Sequence, residues 1–168
     1  ADEFDDEVSL LSGDGDGTFP VGISFQSGEE TVEIAVADFD QDGKPDIAAA
    51  NRAAQTVAVL LGPGDAPTAV RKVLALGVSP ESMAAGDFNG DGKVDLVTAN
   101  RSENTVSVLL GNGDGTFAPR RDFATAADPV FVRAGDFNAD GKADLVTANA
   151  SSETVSVLPG NGDGTFGA

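Results

Sequence analysis

A chain of 168 residues with 28 acidic and 10 basic side chains carries a formal charge of −18. Such an imbalance repels phosphate backbones, which argues against nucleic acid or an anionic membrane surface as a partner. Cysteine, histidine, tyrosine and tryptophan are all missing, so the chain lacks disulfides, thiolate metal sites, the usual general base and zinc ligand, and the usual stacking platforms for sugars and bases.

In chain order, residues 1–7 form an acidic lead-in, and Val8 to Phe19 reads as a short strand followed by a glycine-rich turn. The same pattern returns at Val57–Thr68, Val106–Phe117 and Val155–Phe166, each time displaced by 49 residues. The chain therefore reads as a single repeat domain, 1–168, comprising a partial unit 1–19 and three periods, 20–68, 69–117 and 118–166. Within the middle period, Glu81–Gly86 predicts a first strand (A), Leu96–Asn100 a second (B) and Thr105–Leu110 a third (C). A less regular outer strand (D) follows the next turn, over Phe117–Phe123. These runs are short, β-branched and bounded by Gly, Asn, Asp and Pro, with no sustained 3.6-residue stripe. Four short strands per period of this length predict an all-β chain of four-stranded antiparallel β-propeller blades, roughly 3.5 per chain. The small residues Ala48-Ala49-Ala50 and Ala84-Ala85-Gly86 suit strands crowded toward a central axis.

Between strands A and B lies a nine-residue stretch, present three times: Asp38 to Asp46, Asp87 to Asp95 and Asp136 to Asp144. Oxygen-bearing side chains occupy positions one, three, five and nine, glycine occupies six, and the lysine at seven offers its carbonyl. A hard cation such as Ca2+ takes six to eight oxygens at about 2.3–2.6 Å, and this pattern delivers them from one short turn. A metal-free turn would instead crowd three or four carboxylates together. An EF-hand needs an acid at loop position twelve. Ala49, Thr98 and Thr147 stand there, and strands rather than helices follow.

The combination of Gly-Asp-Phe-Asn-Gly-Asp-Gly-Lys-Val-Asp-Leu-Val with Val-Ser-Val-Leu-Leu-Gly-Asn-Gly-Asp-Gly-Thr-Phe resembles the FG-GAP/VCBS-type repeats, which also build the calcium-binding propeller of integrin α subunits. The resemblance covers nearly all of residues 8–166. It departs in lacking a Gly-Ala-Pro tripeptide and in losing the aromatic over Gly62–Thr68. It implies about three Ca2+ per chain, held by Asp38, Asp40, Asp42, Lys44 (carbonyl) and Asp46; by Asp87, Asn89, Asp91, Lys93 (carbonyl) and Asp95; and by Asp136, Asn138, Asp140, Lys142 (carbonyl) and Asp144. It further implies a non-catalytic binding or adhesion module, secreted or on the cell surface. A protein or glycan ligand is expected on the opposite face, at the B–C connections 51–56, 100–105 and 149–154 and the D–A connections 26–31, 75–80 and 124–129. The alternatives are an accessory domain of a secreted polysaccharide- or lipid-acting enzyme, and a structural or designed fragment that self-assembles.

Three other features read more plainly. Asn100-Arg101-Ser102 and Asn149-Ala150-Ser151 match an N-glycosylation pattern but suit turns. Arg120, Arg121 and Arg133 suit ion pairing on an acidic surface. Asp14 and Asp16 belong to a glycine turn that offers a cation at most a secondary site. Finally, about three and a half blades leave sheet edges open, and a homodimer closing a ring of six or seven blades is expected.

Overall fold

The computed structural model describes residues 6–19, 22–62 and 70–167. The start of the acidic lead-in and most of the degenerate turn over Gly62–Thr68 lie outside the described residues. Among the described residues, thirteen strands form four antiparallel sheets. The first holds β1 (Glu7–Leu11) and β2 (Gly22–Gln26). The second runs β3 (Thr31–Ala37), β4 (Asp46–Asn51), β5 (Thr56–Leu61), β6 (Val70–Ala75), and the third β7 (Pro80–Gly86), β8 (Asp95–Asn100), β9 (Thr105–Leu109), β10 (Arg121–Ala124). The fourth holds β11 (Pro129–Gly135), β12 (Asp144–Asn149) and β13 (Thr154–Leu158). Every neighbour in a sheet is the next strand in sequence, and the first strands β3, β7 and β11 lie side by side. These are propeller blades in an open arc: a half blade, two full blades and a three-stranded one.

Register explains why β4 and β8 are buried along their whole length. In β4, Ile47 and Ala49 pack toward the half blade with Val8, Phe25 and Leu60, while Ala48 and Ala50 pack the other way with Met83, Leu96 and Leu109. A strand covered on both faces reads as a continuous apolar run, and β4 does. The next interface repeats the scheme one period on, with Val97, Ala99, Val106 and Val108 meeting Val132, Leu145 and Leu158. Phenylalanine from each of the first two A–B loops stacks edge-on against one from the next blade's C–D turn. Phe39 meets Phe117 and Phe88 meets Phe166, each with centroids 6.0 Å apart. Among the inner strands, the Glu33 carboxylate accepts from Ser82 Oγ at 2.6 Å, Met83 N at 2.7 Å and Arg133 Nη2 at 3.1 Å, joining three blades at the axis.

The sheets do not coincide with the sequence periods. β6 and β10 close the second and third sheets, yet each follows the period boundary, at 68/69 and 117/118. The outer strand β10 also begins later than Phe117. Pro119 has no N–H for a ladder, and Gly111 and Phe117 meet only as an isolated bridge.

Gly111 marks where backbone passes backbone. A Cβ there would stand 2.2 Å from the Val94 carbonyl oxygen, and one at Gly160 would stand 2.0 Å from that of Ala143. Gly111→Ala is expected to cost at least the roughly 1–3 kcal/mol typical of overpacking, read as a lower urea midpoint at unchanged slope. A wild-type midpoint would contradict this account.

Candidate metal centres

Each A–B loop leaves the inner strand at an aspartate and re-enters the sheet at another. Positions four and six turn left-handed: Gln41 (φ 61) and Gly43 (φ 85), Gly90 (φ 74) and Gly92 (φ 78), Ala139 (φ 62) and Gly141 (φ 84). The sequence signalled only the glycines, since Gln41 and Ala139 accept the same conformation against their steric preference.

Backbone amides then aim the side chains inward. In the first loop Gly43 N donates to Asp38 Oδ2 at 2.9 Å, Asp42 N to Asp40 Oδ1 at 3.2 Å, and Lys44 N to Asp42 Oδ1 at 2.8 Å. The second loop repeats these bonds at Asp87, Asn89 and Asp91, each at 2.9 Å, and the third at Asp136, Asn138 and Asp140, at 2.9, 2.8 and 2.9 Å. Carboxylate oxygens of Asp38, Asp40 and Asp42 all lie within 4.8 Å of one another. Two oxygens bound to one Ca2+ at about 2.3–2.6 Å stand at most roughly 4.6–5.2 Å apart, so the spread of this cluster is of the size that a single ion requires. The other two loops replace the middle carboxylate by an amide, which keeps an oxygen donor but lowers the charge. In the first two loops the lysine ammonium leans on the fifth position, with Lys44 Nζ 3.7 Å from Asp42 and Lys93 Nζ 3.5 Å from Asp91.

Position nine is placed differently. Asp46, Asp95 and Asp144 are buried first residues of β4, β8 and β12. One oxygen of each accepts the loop's own Phe39, Phe88 or Phe137 N at 2.9, 2.8 and 3.0 Å, and the other accepts Gly62, Gly111 or Gly160 N at 2.6, 2.8 and 2.8 Å. The carboxylate is thus the clasp between loop, strand B and the end of strand C, and any ion would share it. Burial pushes the Asp46 and Asp95 carboxyls above their ordinary value. The N–H donors oppose that shift and the loop's other aspartates add to it. Asp16 is also committed: its Oδ1 accepts Thr18 N at 2.9 Å and Thr18 Oγ1 at 2.6 Å, which holds it below the usual carboxylate range.

At the opposite end, one asparagine per blade pins the B–C connection, a feature its recurrence in each period could have revealed. Asn51 accepts from Thr31 Oγ1 at 2.8 Å and donates to Ser27 O at 3.1 Å, while Asn100 donates to Ser107 Oγ at 2.7 Å and Asn149 to Ser156 Oγ at 2.8 Å. The amide nitrogens of Asn100 and Asn149 therefore point into the fold, away from any glycosylation. Ion pairs lace this rim across blades. Arg52 reaches Glu30 and also Glu81 of the next blade, and Arg101 grips Asp128 through two hydrogen bonds at 2.6 and 3.0 Å. The Arg101 guanidinium, and then the Ser151 hydroxyl, hold the Asp128 carboxyl below its ordinary value. Because the folded value is depressed, the pairing supports the fold above the unfolded carboxylate's pKa and is lost as pH falls through the folded one. Arg101→Ala is expected to move the Asp128 midpoint upward in an NMR titration, and an unmoved midpoint would remove Arg101 as the cause. In the grouping Arg120, Arg121 and Arg133, Arg120 stands 3.4 Å from Asp122, and Arg133 lies over the Phe131 ring at 3.9 Å while pairing with Glu33.

Blades with an acidic corner in every turn define a repeat protein built on a common loop. The FG-GAP-like repeat family matches residues 3–49, 38–98 and 87–147. The chain belongs to the FG-GAP-like repeat family. No curated protein sequence matches it. Among solved structures it is similar to a lectin of Agrocybe aegerita described as specifically recognising non-reducing terminal N-acetylglucosamine. The two share 25% identity over 97% of this chain, with a TM-score of 0.64. The chain spans 45% of that lectin's length. No helix among the described residues is long and apolar enough to cross a membrane.

Proposed function

We propose that the protein is a calcium-stabilised, non-catalytic binding module that works outside the cell and takes a glycan on the rim opposite its metal loops. The observation that carries the calcium part is the convergence of Asp38, Asp40 and Asp42 on one ion-sized space. Calcium would supply folding energy here, tying the A–B corner so that the blades keep their pitch. Membership of the FG-GAP-like repeats and the likeness to a lectin support a non-catalytic binding module. The B–C and D–A connections favour the opposite rim as the ligand face, because they differ between periods while the loops scarcely do. Without Trp or Tyr, recognition there would rest on hydrogen bonds from side chains such as Arg52, Arg101 and Ser151.

Equilibrium dialysis of the stripped protein against Ca2+ is expected to find one ion per loop, three per chain. No uptake at millimolar Ca2+ would end the calcium reading. A glycan array probed with the Ca2+-loaded chain is expected to retain it on terminal amino sugars or related residues, and to lose it with Arg101→Ala. An array without any bound glycan would end the lectin reading while leaving the metal one standing.

A further inference from the structure

We propose that the three metal loops take up cations as a coupled series, because each C–D turn is a strut between the loop of its own blade and that of the blade before. Gln41 adds a second strut between the first two loops. This coupling rests on the calcium reading of the loops and regulates their occupancy. The turn 111–117 starts on one loop and ends on another. Gly111 N donates to Asp95 Oδ1, position nine of the second loop, at 2.8 Å. Gly115 N donates to the carbonyl of Phe39, position two of the first loop, at 2.9 Å, and Phe117 lies edge-on to the Phe39 ring. The turn 160–166 repeats this one period later. Gly160 N donates to Asp144 Oδ1 of the third loop at 2.8 Å, Gly164 N donates to Phe88 O of the second at 3.0 Å, and Phe166 lies edge-on to Phe88. Loops and turns thus alternate in one continuous run of hydrogen bonds, and both junctions lie inside the arc.

The same phenylalanines close the circuit within each loop. Phe39 N donates to Asp46 and Phe88 N to Asp95, so one residue is tied both to its own loop's position nine and to the neighbouring blade's turn. The turn itself is braced. Asn112 N donates to Thr116 O at 2.9 Å, Thr116 N donates to Asp114 Oδ1 at 2.9 Å, and the Lys72 ammonium from β6 holds the Asp114 carbonyl. It is also wedged between two loops, since a Cβ at Gly113 would stand 2.8 Å from Gln41 Oε1 of the first and 3.0 Å from Lys93 Cδ of the second. Gln41 then crosses directly. It stands at position four between Asp40 and Asp42, and its Nε2 donates to Gly92 O at 3.3 Å. Gly92 N in turn donates to Asp87 Oδ2 at 2.9 Å. Position four of the second loop is Gly90, which has no side chain, and a crevice lined by Asp87, Gly90, Lys142 and Gly162 lies where the strut would be. The first pair of loops is therefore linked twice and the second pair once.

An ion that orders one loop fixes the phenylalanine carbonyl on which the next blade's turn rests, and that turn holds position nine of the next loop. The neighbour then has less ordering left to supply when it binds, which is positive cooperativity carried by a contiguous hydrogen-bonded network. Coupling of this kind is reciprocal, so filling the second loop assists the first by the same factor. Charge acts in the opposite sense. Filled, the third loop is formally neutral, with three carboxylates, one lysine and one dication. Emptied by Asp140→Ala, it keeps two carboxylates and one lysine, a net −1. By electrostatics alone, the emptied loop would draw a cation more strongly into its neighbour. A neighbour that weakens instead reports the strut.

The test follows the amide signals of Gly43, Gly92 and Gly141, each donating to position one of its own loop at 2.9 Å. They report the three loops separately in an NMR titration of the full chain with chelator-buffered Ca2+. With Asp140→Ala the second-loop midpoint is expected to rise about fivefold or more, and the first-loop midpoint, two turns away, to move far less. Asp140→Asn keeps an acceptor for Lys142 N and takes the place of the alanine variant if circular dichroism shows that the latter is unfolded. Asp91→Ala is expected to raise the first-loop midpoint about fivefold or more, and by a smaller factor when Gln41→Ala is also present. The backbone accepts that change, since Ala139 holds the same place in the third loop at φ 62 against 61 for Gln41. Loops that fill at their parent midpoints whatever becomes of a neighbour would overturn the coupling and leave the calcium reading intact. Glycine signals that never respond to Ca2+ would end both. Equal weakening of the first and second loops by Asp140→Ala would also overturn the coupling, since a general loss of folding acts on all loops alike. An unchanged factor with Gln41→Ala would strike out the direct strut.

Discussion

Asp95→Ala is expected to lower stability by about 2–6 kcal/mol, since it strips the acceptor from two buried backbone donors at roughly 1–3 kcal/mol each. Those donors are Phe88 N and Gly111 N, both 2.8 Å from the carboxylate. They belong to the loop before β8 and the segment after β9, so the loss separates three pieces of one blade. A single domain has only about 5–15 kcal/mol in hand, which makes this one of the most damaging single changes available. Asp95→Asn keeps one acceptor and should cost about half as much. Urea denaturation in excess chelator isolates the clasp from any metal effect. A loss below 0.5 kcal/mol under those conditions would show that the carboxylate matters only through an ion.

Removing calcium is expected to act on all three loops at once. A ligand at a hundred times its Kd stabilises by about 2.7 kcal/mol per site. For a chain of this size that is roughly 5–10 °C of Tm per loop. Adding EGTA to the loaded protein should lower Tm by at least one such increment, and Mg2+ should restore it poorly because it demands a tighter octahedral shell. Asp38→Ala should erase the share of the first loop, whose three carboxylates carry the highest charge. An identical melt with and without chelator would refute the metal reading.

Much of the blade is legible in the sequence alone. The predicted strands Glu81–Gly86, Leu96–Asn100 and Thr105–Leu110 correspond to β7, β8 and β9 to within a residue at each end, because β-branched runs ended by Asn, Gly and Asp carry their own boundaries. The inward-facing donors at positions one, three and five of the loops were legible for the same local reason, as each is aimed by an amide two to five residues away. Position nine was less readable. A window of nine residues shows a fourth oxygen-bearing side chain, but the acceptor's second partner is a glycine amide 16 residues further on, and only the folded sheet brings it there. The buried asparagines are equally unreadable from local sequence, since an Asn beside Arg-Ser or Ala-Ser has the signature of a turn, and only the folded sheet bonds its amide to Ser107 or Ser156. Strand D was the hardest, because Pro119 and a sparse apolar pattern leave its start to tertiary pairing.

The one-strand offset between sequence period and sheet has a consequence for how such a chain can change length. Each 49-residue unit carries the outer strand of the blade before it together with the three inner strands of its own. Insert or delete one whole unit, and every interior sheet still finds its fourth strand, because the neighbour always supplies it. Blade number can therefore drift through tandem duplication without ever exposing a new interior edge. The same interlock means that an interior blade cannot peel away alone, since its last strand is covalently part of the next.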